Sequence, residues 1–300
     1  MTGLPPARTE RVTFSSSGQV LVGTVYRPTG RGPWAAVVVS GSWTTVKEQM
    51  AAAYARQLAE AGLLALAFDF TGFGESGGHP RQLESPERKI RDIRAAVTFL
   101  RGHGDADPGR IGALGICAGA GYTAVAAAGD PRVRAVSLVA PWLHDAGLVQ
   151  EIYGGEEGVR QRTEAGLAAR ERQERGEPVL YVPAVSTTDP NAAMFGPFDY
   201  YLDEKRGAVP AWENRFAVMS WPEWLAFDPH QAAQGVTVPT VIVHSRDGAI
   251  PQGAEKFHTA LSGPKELIWT DGTQFDFYDQ EAKVAEAAGI AVRHFTEALT

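Results

Sequence analysis

The fold is decided by one stretch of the chain, Arg110-Ile111-Gly112-Ala113-Leu114-Gly115-Ile116-Cys117-Ala118-Gly119-Ala120-Gly121-Tyr122. An apolar strand runs into a turn rich in glycine and alanine, and a helix follows. The segment Gly115-x-Cys117-x-Gly119 has the spacing of G-x-S-x-G, in which small residues flanking the nucleophile let a strand and a helix approach closely in a strained turn. We therefore interpret the stretch as a nucleophile elbow with a thiol at its tip.

The position of Cys117 before a helix predicts a reactive side chain. The partial positive charge of a helix N-terminus favours the thiolate, so we expect a solvent-reachable cysteine with a pKa below that of a free thiol. The alternative is a packed core residue, since free cysteine is among the most buried residue types.

The composition excludes several classes of partner. The 300 residues are 44% hydrophobic and 21% charged, and a net charge of −7 gives no basic footprint for nucleic acid. A single cysteine cannot form an internal disulfide. No apolar run reaches membrane-spanning length and residues 1–10 lack an apolar signal core, so we expect a cytoplasmic protein without a membrane partner. The oligomeric state stays open, a homodimer included.

Strand-like and helix-like segments alternate along most of the chain, which predicts a parallel sheet in an α/β domain. An antiparallel hairpin at 11–15 and 19–27 precedes them, as expected at a sheet edge. The predicted strands that follow are 34–39, 63–68, 110–114, 133–139, 237–244 and 265–269. The predicted helices are 49–60, 87–101, 118–128, 252–261 and 281–299.

Residues 143–231 break this alternation. A charged helical segment at 164–175 precedes a run of large aromatic residues, which pack in a core more often than they bind a ligand. Collectively they indicate the roof of a large apolar pocket, so we predict a cap at 143–231 inserted into a core of residues 1–142 and 232–300. The aromatic residues are Phe195, Phe198, Tyr200, Tyr201, Trp212, Phe216, Trp221, Trp224 and Phe227.

Further motifs accompany the elbow over nearly the whole chain. They are Val37-Val38-Val39-Ser40-Gly41-Ser42-Trp43 with Lys47-Glu48-Gln49, Asp69-Phe70-Thr71-Gly72-Phe73-Gly74-Glu75-Ser76, Phe198-Asp199-Tyr200-Tyr201, Asn214-Arg215-Phe216 and Asp271-Gly272-Thr273-Gln274-Phe275-Asp276-Phe277-Tyr278-Asp279. With them the chain resembles the α/β hydrolases, and within these the dienelactone-hydrolase-like group that includes esterases and polyketide-tailoring enzymes. The resemblance implies an α/β-hydrolase fold, a mostly parallel eight-stranded sheet with helices on both faces and an inserted helical cap.

The resemblance also implies positions for the catalytic groups. Asp247, just beyond the strand that ends in His244-Ser245, matches the acid, although an aspartate after a strand is also a common turn former. The oxyanion hole would use the backbone N–H of Ala118 and that of Ser42 or Trp43. We expect no cofactor and no metal. The residues expected to line a pocket for a hydrophobic small-molecule substrate are Trp142, His144, Phe198, Tyr200, Trp221 and Trp224.

The chain departs from the family pattern at the base. Where the pattern is Gly-x-His-x-Asp-x-Tyr-Asp, this chain has Gly272-Thr273-Gln274-Phe275-Asp276-Phe277-Tyr278-Asp279, so Gln274 stands in the place of the histidine. A glutamine amide donates and accepts hydrogen bonds but takes no proton near neutral pH. The usual proton shuttle is therefore missing.

Three hypotheses remain open. In the first, the oxyanion hole and Cys117 serve a reaction that needs no activated water, such as joining, cyclising or oxidising a polyketide-type compound without a cofactor. In the second, the protein is a Cys-dependent esterase, thioesterase or acyltransferase with another base, and His144 just past a strand end is the candidate. In the third, it is a catalytically dead binding module, or Gln274 is a substitution made to trap an intermediate.

Overall fold

The computed structural model describes residues 7–300, so most of the stretch 1–10, on which the lack of a secretion signal was predicted, lies outside the described residues. The first part of the chain forms most of the central sheet and three of the helices packed on it. Its elements are β1 Arg8–Ser16, β2 Gln19–Arg27, β3 Trp34–Ser40, α1 Met50–Glu60, β4 Leu64–Phe68, α2 Pro86–Gly102, β5 Ala106–Ile116, α3 Ala118–Ala127 and β6 Val133–Val139.

The middle of the chain contains helices and two-residue strands that lie outside the central sheet, and the last part completes that sheet. The middle elements are α4 Ala146–Tyr153, α5 Gly155–Glu174, β7 Tyr181–Val182, β8 Val185–Ser186, β9 Met194–Phe195, α6 Asp199–Leu202, β10 Phe216–Ala217, a 3-10 helix Val218–Ser220, α7 Trp221–Ala226 and a 3-10 helix Pro229–Gly235. The last elements are β11 Thr240–Ser245, α8 Pro251–Ala260, β12 Lys265–Thr270, α9 Asp276–Asp279 and α10 Glu281–Ala298.

The central sheet has eight strands in the order β1-β2-β4-β3-β5-β6-β11-β12. The six strands from β4 to β12 in this order are mutually parallel, and β2 is antiparallel to both of its neighbours. Helix α1 packs on α10, and α2 packs on α3. The predicted mostly parallel α/β-hydrolase sheet is confirmed, and β5, which carries the elbow, lies between β3 and β6.

Side chains on the central strands form the core. Strand β3 contributes the consecutive residues Val37, Val38 and Val39, all fully buried. Such continuous apolar runs are expected of strands covered on both faces. None of the helices in residues 7–300 combines the length and apolar character that crossing a membrane requires.

The segment that we term the cap, residues 143–231, lies between β6 and β11. Within it α5 packs on α4 and α7. The approach of α5 to α7 requires a glycine, because a Cβ at Gly166 would lie 2.4 Å from the Pro222 ring. The 3-10 helix Pro229–Gly235 spans the predicted boundary at 231 and packs on α3 and α8 of the core.

Candidate active site

Cys117 occupies the turn between β5 and α3 with φ 54° and ψ −121°, a conformation that L-residues rarely adopt. Two glycines make this turn sterically possible. A Cβ at Gly115 would lie 2.5 Å from the carbonyl oxygen of Gly119, and a Cβ at Gly119 would lie 2.2 Å from that of Gly41. The small residues of the motif therefore let the elbow pack against the loop that follows β3.

That loop, residues 41–49, carries the predicted oxyanion donors and is held by two buried carboxylates. Thr44 has φ 59°, and its N–H donates to Glu84 at 2.9 Å. The N–H of Lys47 donates to Asp69 at 2.8 Å. The backbone N–H of Trp43, the residue just before Thr44, has no acceptor among the described residues. The loop is thereby fixed with a donor left available beside Cys117.

Glu84 joins the loop, the nucleophile helix and the cap. Its fully buried carboxylate accepts the Tyr122 hydroxyl of α3 at 2.6 Å and the Lys89 ammonium at 2.6 Å, in addition to the Thr44 N–H. The N–H of Glu84 donates to Ser220 of the cap at 2.9 Å. Because the charge is paired and hydrogen-bonded on every side, its burial is tolerated.

One acidic cluster in the described residues has the spacing of a metal site, but a lysine ammonium already lies within it. Glu48, Asp69 and Glu75 present carboxylate oxygens within 4.8 Å of one another. The Lys47 Nζ lies 2.6 Å from Glu48, 2.9 Å from Asp69 and 2.6 Å from Glu75. We therefore interpret the cluster as part of the scaffold that holds loop 41–49.

A cavity of about 590 Å³ opens over the elbow, and Cys117, Ala118, Ser42 and Trp43 all line it. The thiol itself is only 6% exposed. Burial raises the pKa of Cys117, and the nearby donor groups of Ser42, Tyr278, the Ala118 backbone and Gln274 offset only part of that rise. The expectation of a lowered pKa is wrong, because the loss of solvent around the sulfur raises the pKa by more than the neighbouring donor groups lower it.

Hydroxyl groups surround the sulfur. The Ser42 hydroxyl is fully buried and has no hydrogen-bond partner that meets ordinary geometry among the described residues, although it lies near enough to lower the pKa of Cys117. Burial raises the pKa of Tyr201 and of Tyr278 well above the ordinary value, so both phenols stay protonated at neutral pH. The nucleophile position therefore holds a protonated thiol among protonated donors.

Gln274 lies beside Cys117, and both ends of its amide are engaged. Its Oε1 accepts the Ala249 N–H at 3.0 Å, and its Nε2 donates to the Ala140 carbonyl at 2.8 Å and to the Tyr278 hydroxyl at 3.2 Å. Asp247 also lines the cavity, but it is exposed and its carboxylate forms no hydrogen bond with a described residue. Among the described residues, no hydrogen bond joins the Gln274 side chain to the Asp247 carboxylate. The Gln274 amide binds instead the backbone N–H of Ala249, two residues after Asp247.

His144 does not line the cavity, contrary to the sequence-based expectation. It is 1% exposed, its Nδ1 accepts the Trp142 indole N–H at 2.8 Å, and its Nε2 bonds the Trp224 carbonyl at 3.1 Å. Burial lowers its pKa to about 4. Both nitrogens are occupied and the ring resists protonation, so His144 cannot serve as the recruited base.

Three of the other expected pocket residues line the cavity, namely Trp142, Phe198 and Trp224. Tyr200 and Trp221 do not, which corrects the expectation. Tyr200 is 2% exposed against Phe275 and Tyr278. Trp221 packs against Trp43, Phe216 and Tyr153.

Other lining residues were not among the predicted ones. Two of them, Tyr201 and Phe195, belong to the aromatic run of the sequence, but that pattern does not indicate which of its residues face the cavity. Tyr153 and Arg162 lie in helices whose pattern carries no such signal. The lining residues absent from the sequence prediction include Ile152, Tyr153, Arg162, Met194, Phe195, Tyr201, Phe275 and Tyr278.

Comparison with known sequences matches residues 17–274 to the family described as X-Pro dipeptidyl-peptidase (S15 family). The chain is 35% identical over 277 residues to the uncharacterized protein YcjY of Escherichia coli, covering 88% of this chain and 89% of that protein. It is 29% identical over 271 residues to the polyketide transferase claH of Penicillium crustosum, covering 86% and 87%.

Comparison with solved structures supports the same fold. The crystal structure of the α/β hydrolase GrgF from Penicillium sp. sh18 superimposes with a TM-score of 0.83 and 22% identity, covering 97% of this chain and 99% of that one. At this identity the likeness concerns the fold alone. The resemblance to the α/β hydrolases stated from the sequence is confirmed.

Proposed function

The chain belongs to the X-Pro dipeptidyl-peptidase (S15) family, and we propose that it is an α/β-hydrolase-fold enzyme whose reaction does not use a histidine base. Its substrate is a hydrophobic, flat carbonyl compound of polyketide type. Its reaction forms a bond, by cyclisation or by group transfer, and is not plain hydrolysis.

The observation that carries the proposal is the environment of Gln274. An amide whose oxygen accepts the Ala249 N–H and whose nitrogen donates to the Ala140 carbonyl cannot activate water for attack on an acyl group. The thiol of Cys117 is protonated, so it is also a poor nucleophile at neutral pH. A reaction at this site must draw its nucleophile from the substrates themselves.

The donors that remain suit such a reaction. Ser42, Trp43 and Ala118 line the cavity beside Cys117, and we assign the backbone N–H groups of Trp43 and Ala118 and the Ser42 hydroxyl to an oxyanion hole. Donors of this kind stabilise negative charge that develops on a carbonyl oxygen, and one of them is typically worth about 3 kcal/mol of barrier. The enolates and tetrahedral adducts of bond-forming reactions carry the same negative charge on oxygen as the intermediates of hydrolysis.

The cavity supports the choice of substrate class. Its volume of about 590 Å³ is typical of small-molecule sites. Aromatic side chains from the cap and the core line much of it, including Trp142, Phe198 and Trp224, and such walls favour a flat conjugated ligand. A relative named polyketide transferase is in keeping with a ligand of this kind.

A non-catalytic binding protein is the second candidate, and the buried, protonated Cys117 is the observation that favours it. The esterase hypothesis with His144 as base is not retained, because both nitrogens of that ring are already engaged.

The two candidates differ in the fate of a bound compound. We would incubate the protein with a synthetic aromatic poly-β-ketone thioester and follow products by liquid chromatography and mass spectrometry. We expect a cyclised product, or a product in which one molecule of the compound is joined to another with release of the thiol, and its formation should depend on the protein and be slowed in the Ser42→Ala variant. Recovery of unchanged compound that co-elutes with the protein would establish the binding module instead, and free acid as the main product would contradict both candidates.

A further inference from the structure

The cavity contains a charged side chain that the catalytic residues do not require. Of the residues that line it, only Arg162 and Asp247 are charged. Arg162 lies on α5 of the cap and forms no ion pair with a described residue, whereas its neighbour Arg160 on the same helix pairs with Glu157 and Glu164. Arg162 is half-buried and has no counter-charge, so an anionic group on a ligand in the cavity could pair with it.

The guanidinium of Arg162 is held in place by contacts that leave part of it free. Its Nη1 donates to the carbonyls of Tyr153 at 2.9 Å and Gly158 at 3.1 Å. Its central carbon lies 5.3 Å from the Tyr153 ring centroid and 5.5 Å from that of Trp221. The Nε and Nη2 groups donate to no described residue, so one side of the planar fork remains available.

Tyr153, whose ring lies against the guanidinium, supplies a second donor to the cavity. Its hydroxyl oxygen accepts the Trp224 indole N–H at 2.7 Å, and no described residue accepts the hydroxyl proton. Burial raises the pKa of Tyr153 to about 12, so the proton is present at neutral pH. Tyr153 and Trp224 line the same cavity as Arg162.

We propose that Tyr153 and Arg162 form a subsite for a carboxylate carried by the hydrophobic ligand. A guanidinium fork flanked by aromatic rings matches the planar, two-oxygen geometry of a carboxylate, and the phenol adds a third donor. Asp247 is exposed and does not pair with Arg162, so it does not satisfy the cation. The inference rests on the proposed function for the hydrophobic character of the ligand and adds that the substrate is an acid.

The test measures binding and needs no turnover, so it is separate from the test of the reaction. We would titrate the protein with 2-naphthoic acid and with its methyl ester and follow tryptophan fluorescence. We expect the acid to bind at least about tenfold more tightly than the ester, as charge-assisted hydrogen bonds to a carboxylate require.

Variants assign the preference to the subsite. Arg162→Gln should abolish the preference for the acid, Tyr153→Phe should reduce it by a smaller factor, and Arg162→Lys should retain part of it because the charge remains. Arg160→Gln, on the same helix but outside the cavity, is the matched control and should leave it unchanged. Equal binding of acid and ester, no binding of the acid, or a preference that survives Arg162→Gln would overturn the proposal. Loss of the reaction with the preference intact would overturn only the proposed function.

Discussion

The side chain of Gln274 and the backbone of Ala249 are joined by a hydrogen bond of 3.0 Å, in which the glutamine Oε1 accepts the alanine N–H. This bond attaches the segment after β12 to the segment after β11, which carries Asp247. The carboxylate of Asp247 takes no part in it and stays exposed. Position 274 is thus a fixed amide beside Cys117.

Alkylation of Cys117 should be slow at neutral pH. Because burial raises the pKa of the thiol, the thiolate fraction at pH 7 is below that of an exposed cysteine. The rate of modification by iodoacetamide, measured from pH 6 to 10 by intact mass, should rise only above the range of a free thiol. The same chain unfolded in urea is the control and should react faster at pH 7. A native rate that matches or exceeds the unfolded rate would show an activated cysteine.

Removing the Ser42 hydroxyl should lower the rate constant kcat of the reaction. If Ser42 helps to stabilise charge on the substrate oxygen, Ser42→Ala should lower kcat by about a hundredfold and change KM little. The control is Ser137→Ala on β6, since Ser137 also has a fully buried, unpartnered hydroxyl but does not line the cavity. Equal effects of the two variants on kcat would assign Ser42 a structural role only.

Removing the charge of Glu84 should destabilise the fold. Glu84→Gln leaves the fully buried Lys89 ammonium without its counter-charge, which typically costs about 3–5 kcal/mol in free energy of unfolding. The double variant Glu84→Gln/Lys89→Met should recover most of that loss, because no unpaired charge remains.

Urea denaturation of these variants measures the effect. Glu87→Gln breaks an exposed pair with Arg91 and should change the free energy of unfolding by less than about 0.5 kcal/mol. A loss from Glu84→Gln as small as that of Glu87→Gln would show that the buried pair is not required.

The stability of the fold should depend on pH through His144. Burial lowers its pKa to about 4, whereas an exposed histidine has a pKa of about 6.5. Between these values the unfolded chain binds more protons than the folded chain, so stability is complete above pH 6.5 and falls as the pH decreases towards 4. One such histidine accounts for about 3 kcal/mol over that window.

The variant His144→Gln isolates this contribution, since a glutamine amide can still donate to the Trp224 carbonyl. Its free energy of unfolding, measured from pH 7.5 to 4.5, should fall less steeply than that of the unaltered protein. The buried His244, whose pKa burial also lowers to about 4, retains the same pH dependence in both proteins. Identical slopes for the two proteins would contradict the assignment.

The elbow and the sheet could be predicted from the sequence because both depend on local patterns. Gly115 and Gly119 flank Cys117 because larger side chains would clash there, and their spacing in the sequence is enough to indicate the turn. The core strands coincide with the apolar runs of the sequence. The pKa of Cys117 could not be predicted, since it depends on how completely side chains distant in the sequence, such as Tyr278, exclude water from the sulfur.

Contacts between residues distant in the sequence also explain why some pocket residues were predicted wrongly. The ring of His144 is held by Trp224, which lies 80 residues away in the chain, so proximity to a strand end did not reveal that its nitrogens are engaged. Tyr200 and Tyr201 are adjacent in the four-residue helix α6, where no repeat is long enough to show which side chain faces the cavity. Only Tyr201 lines it.

We propose that the site catalyses bond formation between substrate groups without activating water, because residue 274 is not a base. The most direct measurement compares the unaltered protein with Gln274→His on an aryl thioester in ¹⁸O-labelled water, following the label in the free acid. We expect little labelled acid from the unaltered protein and a rise of about a hundredfold or more in Gln274→His, where an imidazole restores general base catalysis. Rapid formation of labelled acid by the unaltered protein, or no change on introducing the histidine, would contradict it.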